Sequence, residues 1–358
     1  MVVMLGVDVH KDTHTAVAAD EVGRWLGERC VRATDAGHRQ LVRWACGAFP
    51  QGRVWAVEDC RHVSTRLERA LLAAGERVVR VPPKLMAGAR DSARTRGKSD
   101  PIDALAVARA ALREPALPAA AHDEVSRELK LLVDHREDLV AERTRMQNRL
   151  RWHLHELDPE LDVPARGLDR LVVLDRLVTW LADRPAQLTT AQATTLVCRL
   201  AGELLADIRA ITIRVTALER EITGRAERAA PRLLALPGAG GLTTAKIVAE
   251  AAGITRFRSE ACFAMHAGVA PIPASSGRTN RHRLARGGNR QLNAALHRIA
   301  VTQIRLHGPG RAYYQRRRAQ GDTTMQALRA LKRRLARVVF NLLRPTDTTT
   351  GTCLPAAA

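Results

Sequence analysis

Four carboxylates lie in three short motifs whose residue types suit metal binding. They are Asp8 in LGVDVHK, Glu58 in VWAVEDC, and Asp100 and Asp103 in KSDPIDALAVAR. Asp8 follows an apolar run, where an acid is costly to bury unless it reaches solvent or binds a cation. If the strands that carry Asp8 and Glu58 are neighbours, the four carboxylates can hold two divalent cations, Mg²⁺ or Mn²⁺. Phosphoryl transfer uses such an arrangement.

Each acid also has a plainer interpretation. Asp100 and Asp103 lie three residues apart at a predicted helix start, where acids favour the helix dipole without any metal. Asp8 could be a turn residue, and Glu58 is followed by Asp59, which competes with it as the acid of that motif. The ordered set of motifs, rather than any single acid, therefore indicates a metal site.

A second candidate for chemistry is the loop PASSGRTNRHRLARGG, residues 273–288. It holds two adjacent serines, four arginines and a histidine, and no acidic residue. A serine hydroxyl is a poor nucleophile unless its proton is removed or its pKa is lowered. No Ser/His/Asp arrangement is legible around it, and we interpret His266 and His282 as phosphate contacts or core residues. The residues leave open whether a serine attacks a phosphate backbone or the loop only clamps one.

Charge indicates the kind of partner. The 358 residues include 57 Lys and Arg against 37 Asp and Glu, a formal net charge of +20. Residues 1–115 carry +5, residues 116–250 carry −1 and residues 251–358 carry +16. Neutralisation of phosphates supplies most non-specific nucleic-acid affinity, so the C-terminal third is predicted to face a polyanion.

The elements that must position the acids form a mixed α/β pattern. Strands are predicted at 3–9, 15–20, 29–34, 54–59 and 78–82, with helices at 36–48 and 63–74. This order favours a sheet with helices on its faces. Residues 84–98 are predicted to be a loop or frayed helix, and Pro101 begins the next helix, where proline is tolerated.

The middle third is predicted to be helical and elongated. Leu132, Leu139, Met146 and Leu150 recur at heptad spacing, although Arg136 and Arg143 interrupt the other seam position. Leu204, Ile208, Ile211, Val215, Leu218 and Ile222 alternate four and three apart, as a coiled-coil seam requires. Two long helices around a helical insertion at about 160–198 fit an antiparallel pair. The pattern does not decide whether the pair joins protomers or packs within one.

The last third begins with LPGAGGLTTAKIVAEAAG, a pattern typical of a helix-hairpin-helix element. Gly238 and Gly240 would allow close backbone approach, and the amides at the following helix start would point at a phosphate. A structural helix connection without a ligand is the alternative. Helices are predicted at 291–306 and 323–343, and the tail after Pro345 is predicted to be disordered.

The cysteines and the hydropathy of the chain indicate its cellular compartment. The six cysteines are scattered without metal-ligand spacing or a small secreted framework, which predicts reduced thiols in the cytoplasm. The N-terminus runs directly into a strand pattern, and no stretch approaches transmembrane length. We therefore expect neither a signal peptide nor a membrane partner.

These motifs resemble a known family. LGVDVHK, AVEDC and KSDPIDALAVAR are similar to the three acidic motifs of the RuvC-like, Asp-Glu-Asp-Asp domain of insertion-sequence one-ten transposases, which are relatives of the pilin-gene inverting recombinases. LPGAGGLTTAKIVAE, FRSEACFAMHAGVAPIPASSG and RLARGGNRQLNAALHRIA resemble the C-terminal domain of the same family. The resemblance spans nearly the whole chain, in the same order.

The resemblance implies a fold and a mechanism. It implies an RNase H-like carboxylate site with Asp8, Glu58, Asp100 and Asp103 as metal ligands, joined to a serine recombinase. The nucleophile is then Ser276, five residues after Pro271, although adjacent Ser275 departs from the family's single candidate. Implied partners are the DNA of the element ends and target, and a structured guide RNA. Nucleic-acid contacts are expected at Gly238, Gly240, Arg278, Arg281, Arg283, Arg286, Asn289 and Arg290.

Three alternatives are kept. A metal-dependent endonuclease of the junction-resolvase type would use the carboxylates to cut with water, and the serine loop would only clamp. A non-catalytic nucleic-acid-binding protein would require four acids to be placed by accident. Tyr313 and Tyr314 could be nucleophiles, but the Arg and His constellation expected around such a nucleophile is not legible in the sequence, so we favour stacking or packing.

The sequence therefore predicts a fold of the α/β plus α class. The protein is expected to act as a dimer or tetramer. It comprises an RNase H/RuvC-like mixed-sheet domain at 1–115 and a helical coiled-coil spacer at 116–230. An all-α basic domain with the helix-hairpin-helix-like element and the serine loop follows at 231–345, and a disordered tail at 346–358.

Overall fold

A computed structural model describes residues 2–50, 52–58, 61–82, 85–86, 99–114, 117, 119–121, 123–183, 192–275, 282–283, 285 and 287–345. Of the predicted loop or frayed helix at 84–98, only residues 85 and 86 lie within these ranges. The predicted tail at 346–358 lies outside the described residues.

A five-stranded mixed sheet forms the N-terminal region. Its order is β3-β2-β1-β4-β5, in which β1, β2 and β3 pair antiparallel while β1, β4 and β5 pair parallel. The strands are β1 Val3–Val9, β2 Thr13–Ala19, β3 Trp25–Arg32, β4 Arg53–Glu58 and β5 Val78–Val81. The predicted mixed α/β sheet is confirmed, and β1 and β4 are neighbours.

Helices cover both faces of this sheet because its central strands are apolar on both sides. Helices α1 Asp35–Ala48 and α2 Arg61–Ala73 pack on one face, where Leu41 and Leu67 meet Leu5 and Trp55. Helix α3 Asp100–Arg113 packs on the other face, where Val107 meets Ala56. The alternation in β1 therefore separates Leu5, on the face of α1 and α2, from Gly6 on the face of α3.

Two long helices dominate the middle of the chain. They are α4 Glu124–Leu157 and α6 Gln192–Ala229, with the shorter α5 Leu171–Ala182 between them. Leu139 of α4 packs with Ile211 and Val215 of α6, and further along Leu150 packs with Leu204. Rising numbers on one helix meet falling numbers on the other, so α4 and α6 form an antiparallel pair within one chain.

The two arginines that interrupt the α4 seam have partners on α6. Arg136 Nε donates to Glu219 Oε1 at 3.0 Å, and an Arg143 guanidinium nitrogen donates to Thr212 Oγ1 at 3.2 Å. A long side chain can bury its stem along the seam and keep its polar head bonded. The interruptions in the heptad pattern are thus cross-helix hydrogen bonds.

In the C-terminal region, the last helix packs against three of the helices that precede it. The elements from residue 231 are α7 Pro231–Leu234, α8 Gly241–Ala251, α9 Glu260–His266, β6 Ile272–Pro273, β7 His282–Arg283, α10 Arg290–Arg305, α11 Pro309–Ala319 and α12 Thr324–Leu343. Helices α9, α10 and α11 all contact α12. Its buried stripe includes Leu331, Leu335 and Phe340, and the Phe340 ring lies 6.0 Å from that of Phe263 in α9.

The chain divides into two compact units. One takes in the sheet region up to Glu124 together with the C-terminal region from Ala251, and the other runs from Val125 to Glu250. Among the described residues, every helix is too short or too polar to span a membrane.

Candidate metal and nucleic-acid site

The close approach of α3 to β1 brings the first acids together. Gly6 lies against the backbone of α3: a Cβ on this residue would fall 2.1 Å from Ala104 O and 2.4 Å from Ala108 N. Asp8 follows two residues later on the same face of β1, and Asp100 lies one turn before Ala104 on the same stripe of α3. The glycine therefore allows the two carboxylates to meet at the end of β1.

His10 lies between these two acids. Its Nε2 is 3.0 Å from Asp8 Oδ2 and 3.5 Å from Asp100 Oδ1. One ligand atom from each of the three residues lies within 4.8 Å of the others, which is the spacing of a metal-binding group. Asp8 is buried, whereas His10 and Asp100 are exposed, so the group opens to solvent on one side.

Electrostatics at Asp8 favour a cation. Burial raises the pKa of Asp8; the imidazole of His10 opposes that shift, and the nearby carboxylates of Asp103 and Asp100 reinforce it. Close carboxylates disfavour one another's charged form, and a bound divalent cation would remove that cost. The donor set of carboxylate oxygens and one imidazole nitrogen fits a divalent metal.

The other two predicted ligands lie near this group without belonging to it. Asp103 is buried on α3, one turn after Asp100. Glu58 ends β4, and the parallel register that pairs Val7 with Val57 makes Asp8 and Glu58 the next residues of neighbouring strands. The structure therefore brings Asp8 and Asp100 into ligand distance and places Asp103 and Glu58 on the flanking positions.

His10 is a site residue that was not predicted from the sequence. The signal was present in LGVDVHK, because a histidine two residues after Asp8 follows the same alternation along the strand. Because β1 ends at Val9, alternation alone does not say where the side chain of His10 points.

The serine loop is held by a short β-hairpin, which the prediction of an all-α C-terminal domain did not include. Strands β6 and β7 pair antiparallel, with Ile272 opposite Arg283 and Pro273 opposite His282. Ser275 follows this ladder closely and is exposed. Ser276 lies outside the described residues, as do Arg278, Arg281 and Arg286.

Two glycines close the base of this hairpin. A Cβ on Gly288 would fall 2.2 Å from Gly268 N, and Gly268 itself has a φ of +64°. Asn293 Nδ2 donates to Ala267 O at 2.9 Å and to Gly268 O at 3.0 Å. The start and end of the segment 268–288 are therefore fixed against each other and against α10.

The remaining predicted contacts occupy several positions. Arg283 is exposed on β7, and Asn289 caps α10 by accepting from the Leu292 amide at 2.9 Å, just before exposed Arg290. Gly238 has a φ of +88°, and Gly240 is exposed with open space at its Cβ position, before the first turn of α8.

Tyr313 and His266, which were considered for other chemical roles, both have packing partners. The Tyr313 ring lies under Arg334, at 5.0 Å, and under Arg316, at 5.3 Å. The His266 ring lies 5.1 Å from that of Phe257, and its Nε2 is 3.2 Å from an Arg256 guanidinium nitrogen. His282 is exposed on β7. Tyr313 packs as the sequence interpretation favoured, and His266 is half-buried beside Phe257.

Comparison with known proteins connects this arrangement to DNA transposition. Residues 5–159 match the family model of IS110-type DEDD transposases, described as "Transposase". Residues 230–315 match the model described as "Transposase IS116/IS110/IS902 family". The two matches contain the acidic motifs and the serine hairpin, respectively.

Individual relatives extend over nearly the whole chain. The insertion element IS116 protein of Streptomyces clavuligerus is 32% identical over 387 aligned positions, covering 96% of this chain and 94% of the relative. The insertion element IS900 protein of Mycobacterium paratuberculosis is 30% identical, covering 96% of each chain. The insertion element IS110 protein of Streptomyces coelicolor is also 30% identical, covering 96% of this chain and 94% of that protein.

A solved structure of T. thermophilus RuvC in complex with a Holliday junction substrate is 15% identical to this chain, with a TM-score of 0.27. The match covers 32% of this chain and 95% of RuvC.

These matches place the chain in the class of transposases, which are DNA-processing enzymes. More narrowly, the chain belongs to the IS110/IS116 transposase family. The resemblance seen in the sequence motifs is thereby confirmed.

Proposed function

We propose that this transposase cuts and rejoins DNA through a covalent phosphoserine at Ser276, assisted by a divalent cation at the acid cluster. One observation supports the bound cation: Asp8 and Asp100, which lie on separate elements, come together on either side of His10. In the sequence Ser276 lies between the paired strands β6 and β7, in a basic segment without acidic residues, and this supports the assignment of the serine as nucleophile.

The acid cluster would hold Mg²⁺ or Mn²⁺ through Asp8 and Asp100, with Asp103 and Glu58 beside them. A bound cation supplies charge neutralisation at phosphate oxygens as the phosphorus is attacked. Buried Asp8 fixes the position of the site, and exposed Asp100 leaves one side open to the DNA backbone. Holding negative charges close together before the cation arrives makes the site selective for a divalent ion.

The serine hairpin would carry the covalent step. The Ser276 hydroxyl loses its proton and its Oγ bonds to phosphorus, while the bond from phosphorus to one deoxyribose oxygen breaks and that oxygen takes up a proton. Attack by a deoxyribose hydroxyl of another strand reverses the step and frees the serine. Because the phosphodiester bond energy is kept in the phosphoserine, no high-energy cofactor is required.

Binding of the DNA would rest on the C-terminal charge. Arg278, Arg281, Arg283, Arg286, Asn289 and Arg290 would position the cut strand, and the amides after Gly238 and Gly240 would contact a phosphate in a helix-hairpin-helix manner. With aromatics at 3% of the chain, backbone contacts must outweigh base stacking. The family resemblance adds a structured guide RNA, bound by the same class of cationic surface.

Assembly and location complete the proposal. The sequence predicts domains at 1–115, 116–230 and 231–345, with a helical coiled-coil spacer in the second of them, and a dimer or tetramer. A composite site could then combine the acids of one protomer with the serine of its partner. Cysteine usage places this activity in the cytoplasm.

A suicide-substrate assay tests the proposal. Purified protein, Mg²⁺, element-end DNA carrying a nick that traps the intermediate, and element-derived RNA are run on a denaturing gel. We expect a covalent protein–DNA adduct with wild type and with Ser275→Ala, and none with Ser276→Ala or Asp8→Asn. Lys11→Ala, an exposed neighbour of His10, serves as the control and should form the adduct.

The second candidate is a hydrolytic endonuclease. It is favoured by one observation: among the described residues, the acid cluster is formed by β1, by His10 just after it and by α3, and includes no residue of the serine hairpin. Hydrolysis predicts that the DNA is cleaved without forming an adduct, that cleavage requires Asp8, and that it persists in the double variant Ser275→Ala, Ser276→Ala. That result would reject the phosphoserine.

A further inference from the structure

Lys332 is a buried cation on the last helix. It is 8% exposed on α12, and its Nζ donates to the neutral Asn293 Oδ1. Burial lowers the pKa of Lys332, and the charge of nearby Arg329 lowers it further. An ammonium held away from water without a counter-ion is costly, so the surroundings of Lys332 favour an added anion.

The acidic residues of this region are already engaged. Residues 251–358 contain only Glu260, Asp322 and Asp347 as acids. Glu260 accepts from Arg337 Nε at 2.7 Å, and Asp322 accepts from Arg317 Nε at 2.6 Å. Asp347 lies outside the described residues, and within the described part of the chain Lys332 has no carboxylate oxygen within 4.0 Å.

A cavity opens beside this lysine. Its volume is about 660 Å³, within the roughly 300–1,000 Å³ of small-molecule sites, and it adjoins both the start of the hairpin segment and β7. Five cationic side chains and one aromatic ring line it: Arg283, Arg317, Arg329, Lys332, Arg333 and Tyr313. The only carboxylate in its wall, among the described residues, is Asp322, which Arg317 already holds.

We propose that this cavity binds a backbone phosphate of the DNA strand that lies next to the bond cut at the serine hairpin. The proposal rests on the proposed function for the identity of the strand, while the phosphate chemistry follows from the cationic wall. A phosphodiester supplies the anion that Lys332 lacks, and guanidinium forks match phosphate oxygens in pairs.

The contacts of Lys332 connect the cavity to the hairpin. Asn293 accepts from Lys332 through its Oδ1, while its amide nitrogen donates to Ala267 and Gly268 at the hairpin base. A phosphate on Lys332 would therefore be held at a fixed position relative to the base of the loop that carries Ser276. Asn293 acts as a positioning residue between the two.

Equilibrium DNA binding tests this site without the covalent step. Full-length protein in a Ser276→Ala background is titrated into a labelled DNA duplex of arbitrary sequence, because phosphate contacts do not read bases. We expect Lys332→Gln and Arg329→Gln each to weaken binding about tenfold, and each to make the slope of log affinity against log salt shallower by about 0.9.

Arg298→Gln is the matched control. Arg298 is exposed on α10 and does not line the cavity. Its replacement by Gln removes one positive charge, as Arg329→Gln does. Arg329 is itself exposed, so Arg329→Gln keeps the test valid if Lys332→Gln destabilises the fold. Equal losses from Arg298→Gln and Arg329→Gln, or unchanged affinity in both cavity variants, would overturn the proposal.

Two further measurements distinguish a DNA phosphate from an RNA phosphate, and failure of this site from failure of the phosphoserine mechanism. RNA of the same sequence is titrated in parallel, and a loss confined to RNA would also reject a DNA phosphate at this site. If wild type forms no covalent adduct while the cavity variants still lose DNA affinity, the phosphoserine mechanism fails and the phosphate site stands.

Discussion

At the scale of residues, the acid cluster depends on a few side chains with opposed tendencies. Asp8 is disfavoured as a charge by burial and by its acidic neighbours, and His10 relieves this by lying between Asp8 and Asp100. An ionised Asp8 carboxylate only accepts hydrogen bonds, so it accepts from His10 in the tautomer that carries the Nε2 proton. A divalent ion would take over this bridging role, with His10 as an additional ligand or an orienting partner.

Replacing His10 should therefore weaken metal binding. We expect His10→Ala to lower the affinity for Mn²⁺ by roughly 10–100-fold, the usual cost of losing a residue that supports a metal site. Isothermal titration calorimetry of the purified protein measures this directly, with Lys11→Ala as the control. An unchanged Mn²⁺ affinity in His10→Ala would show that the imidazole has no part in the site.

The candidate acids could be read from the sequence because their motifs pair strand or helix signals with single carboxylates. The spacing of Asp100 and Asp103 sufficed to predict that these two share one face of a helix. Their grouping with Asp8 and Glu58 followed from the family resemblance. The position of His10 could not be predicted, because it depends on the turn after β1 and on how far α3 extends towards it. Alternation puts His10 in line with Asp8, but these tertiary contacts decide where its side chain points.

At the scale of elements, the site is positioned by one helix on one strand. Helix α3 can lie close to β1 only because Gly6 has no side chain. The sequence predicted the strand, the helix and the side of β1 that carries Gly6 and Asp8, but not that α3 would cover that side. Helix packing across a gap of many residues depends on the whole sheet, which local periodicity does not encode.

Gly6→Ala should separate the two halves of the site. The added methyl would meet the backbone of α3 at Ala104 and Ala108, so we expect a loss of about 1–3 kcal/mol in the free energy of unfolding and weaker Mn²⁺ binding. Urea unfolding and calorimetry measure the two effects. Gly47→Ala, in α1 with open space at its Cβ position, should be neutral or slightly stabilising. Equal stability of Gly6→Ala and wild type would contradict the close packing.

A pair of buried histidines joins β2 to α1 and makes this region sensitive to acid. The rings of His14 and His38 stack with centroids 5.2 Å apart. Within the described residues, Nδ1 of His14 and both ring nitrogens of His38 have no hydrogen-bond partner. Burial lowers the pKa of His14 from 6.5 to about 4 and also lowers the pKa of His38.

Acid should therefore destabilise the fold between about pH 6.5 and pH 4. In that window the unfolded chain binds protons that the folded imidazoles reject, so the free energy of unfolding falls as pH falls. For His14 alone, we expect about 2 kcal/mol to be lost between pH 7 and pH 5. Urea unfolding at both pH values should show a smaller loss for His14→Leu than for wild type. His307→Asn, at an exposed position, is the control, and identical pH dependence in wild type and His14→Leu would refute the assignment.

At the scale of the whole molecule, charge is divided along the chain. The acid cluster lies in the N-terminal region, which carries +5 over residues 1–115, and the serine hairpin lies in residues 251–358 at +16. Composition predicted this division without any fold, because net charge requires only counting. The hairpin geometry could not be predicted, because its strands are too short to give a periodic signal and because the close contact of Gly268 with Gly288 is a tertiary one.

The salt dependence of DNA binding should follow this division. Removing one cation that contacts a phosphate makes the slope of log affinity against log salt shallower by about 0.9. We expect this change for Arg283→Gln and for Arg290→Gln, and none for Arg199→Gln, whose side chain pairs with Glu203 on α6. Equal slopes in all three variants would show that the hairpin region does not meet the DNA backbone.

The most direct test of the phosphoserine is to locate it on the chain. After trapping on suicide DNA, nuclease digestion and trypsin treatment, the peptide SEACFAMHAGVAPIPASSGR, residues 259–278, retains both candidate serines. Tandem mass spectrometry then identifies the residue that carries the nucleotide remnant. We expect a phosphodiester on Ser276. A remnant on Ser275, on a tyrosine, or on no residue of a protein that still cleaves its DNA would contradict the phosphoserine mechanism.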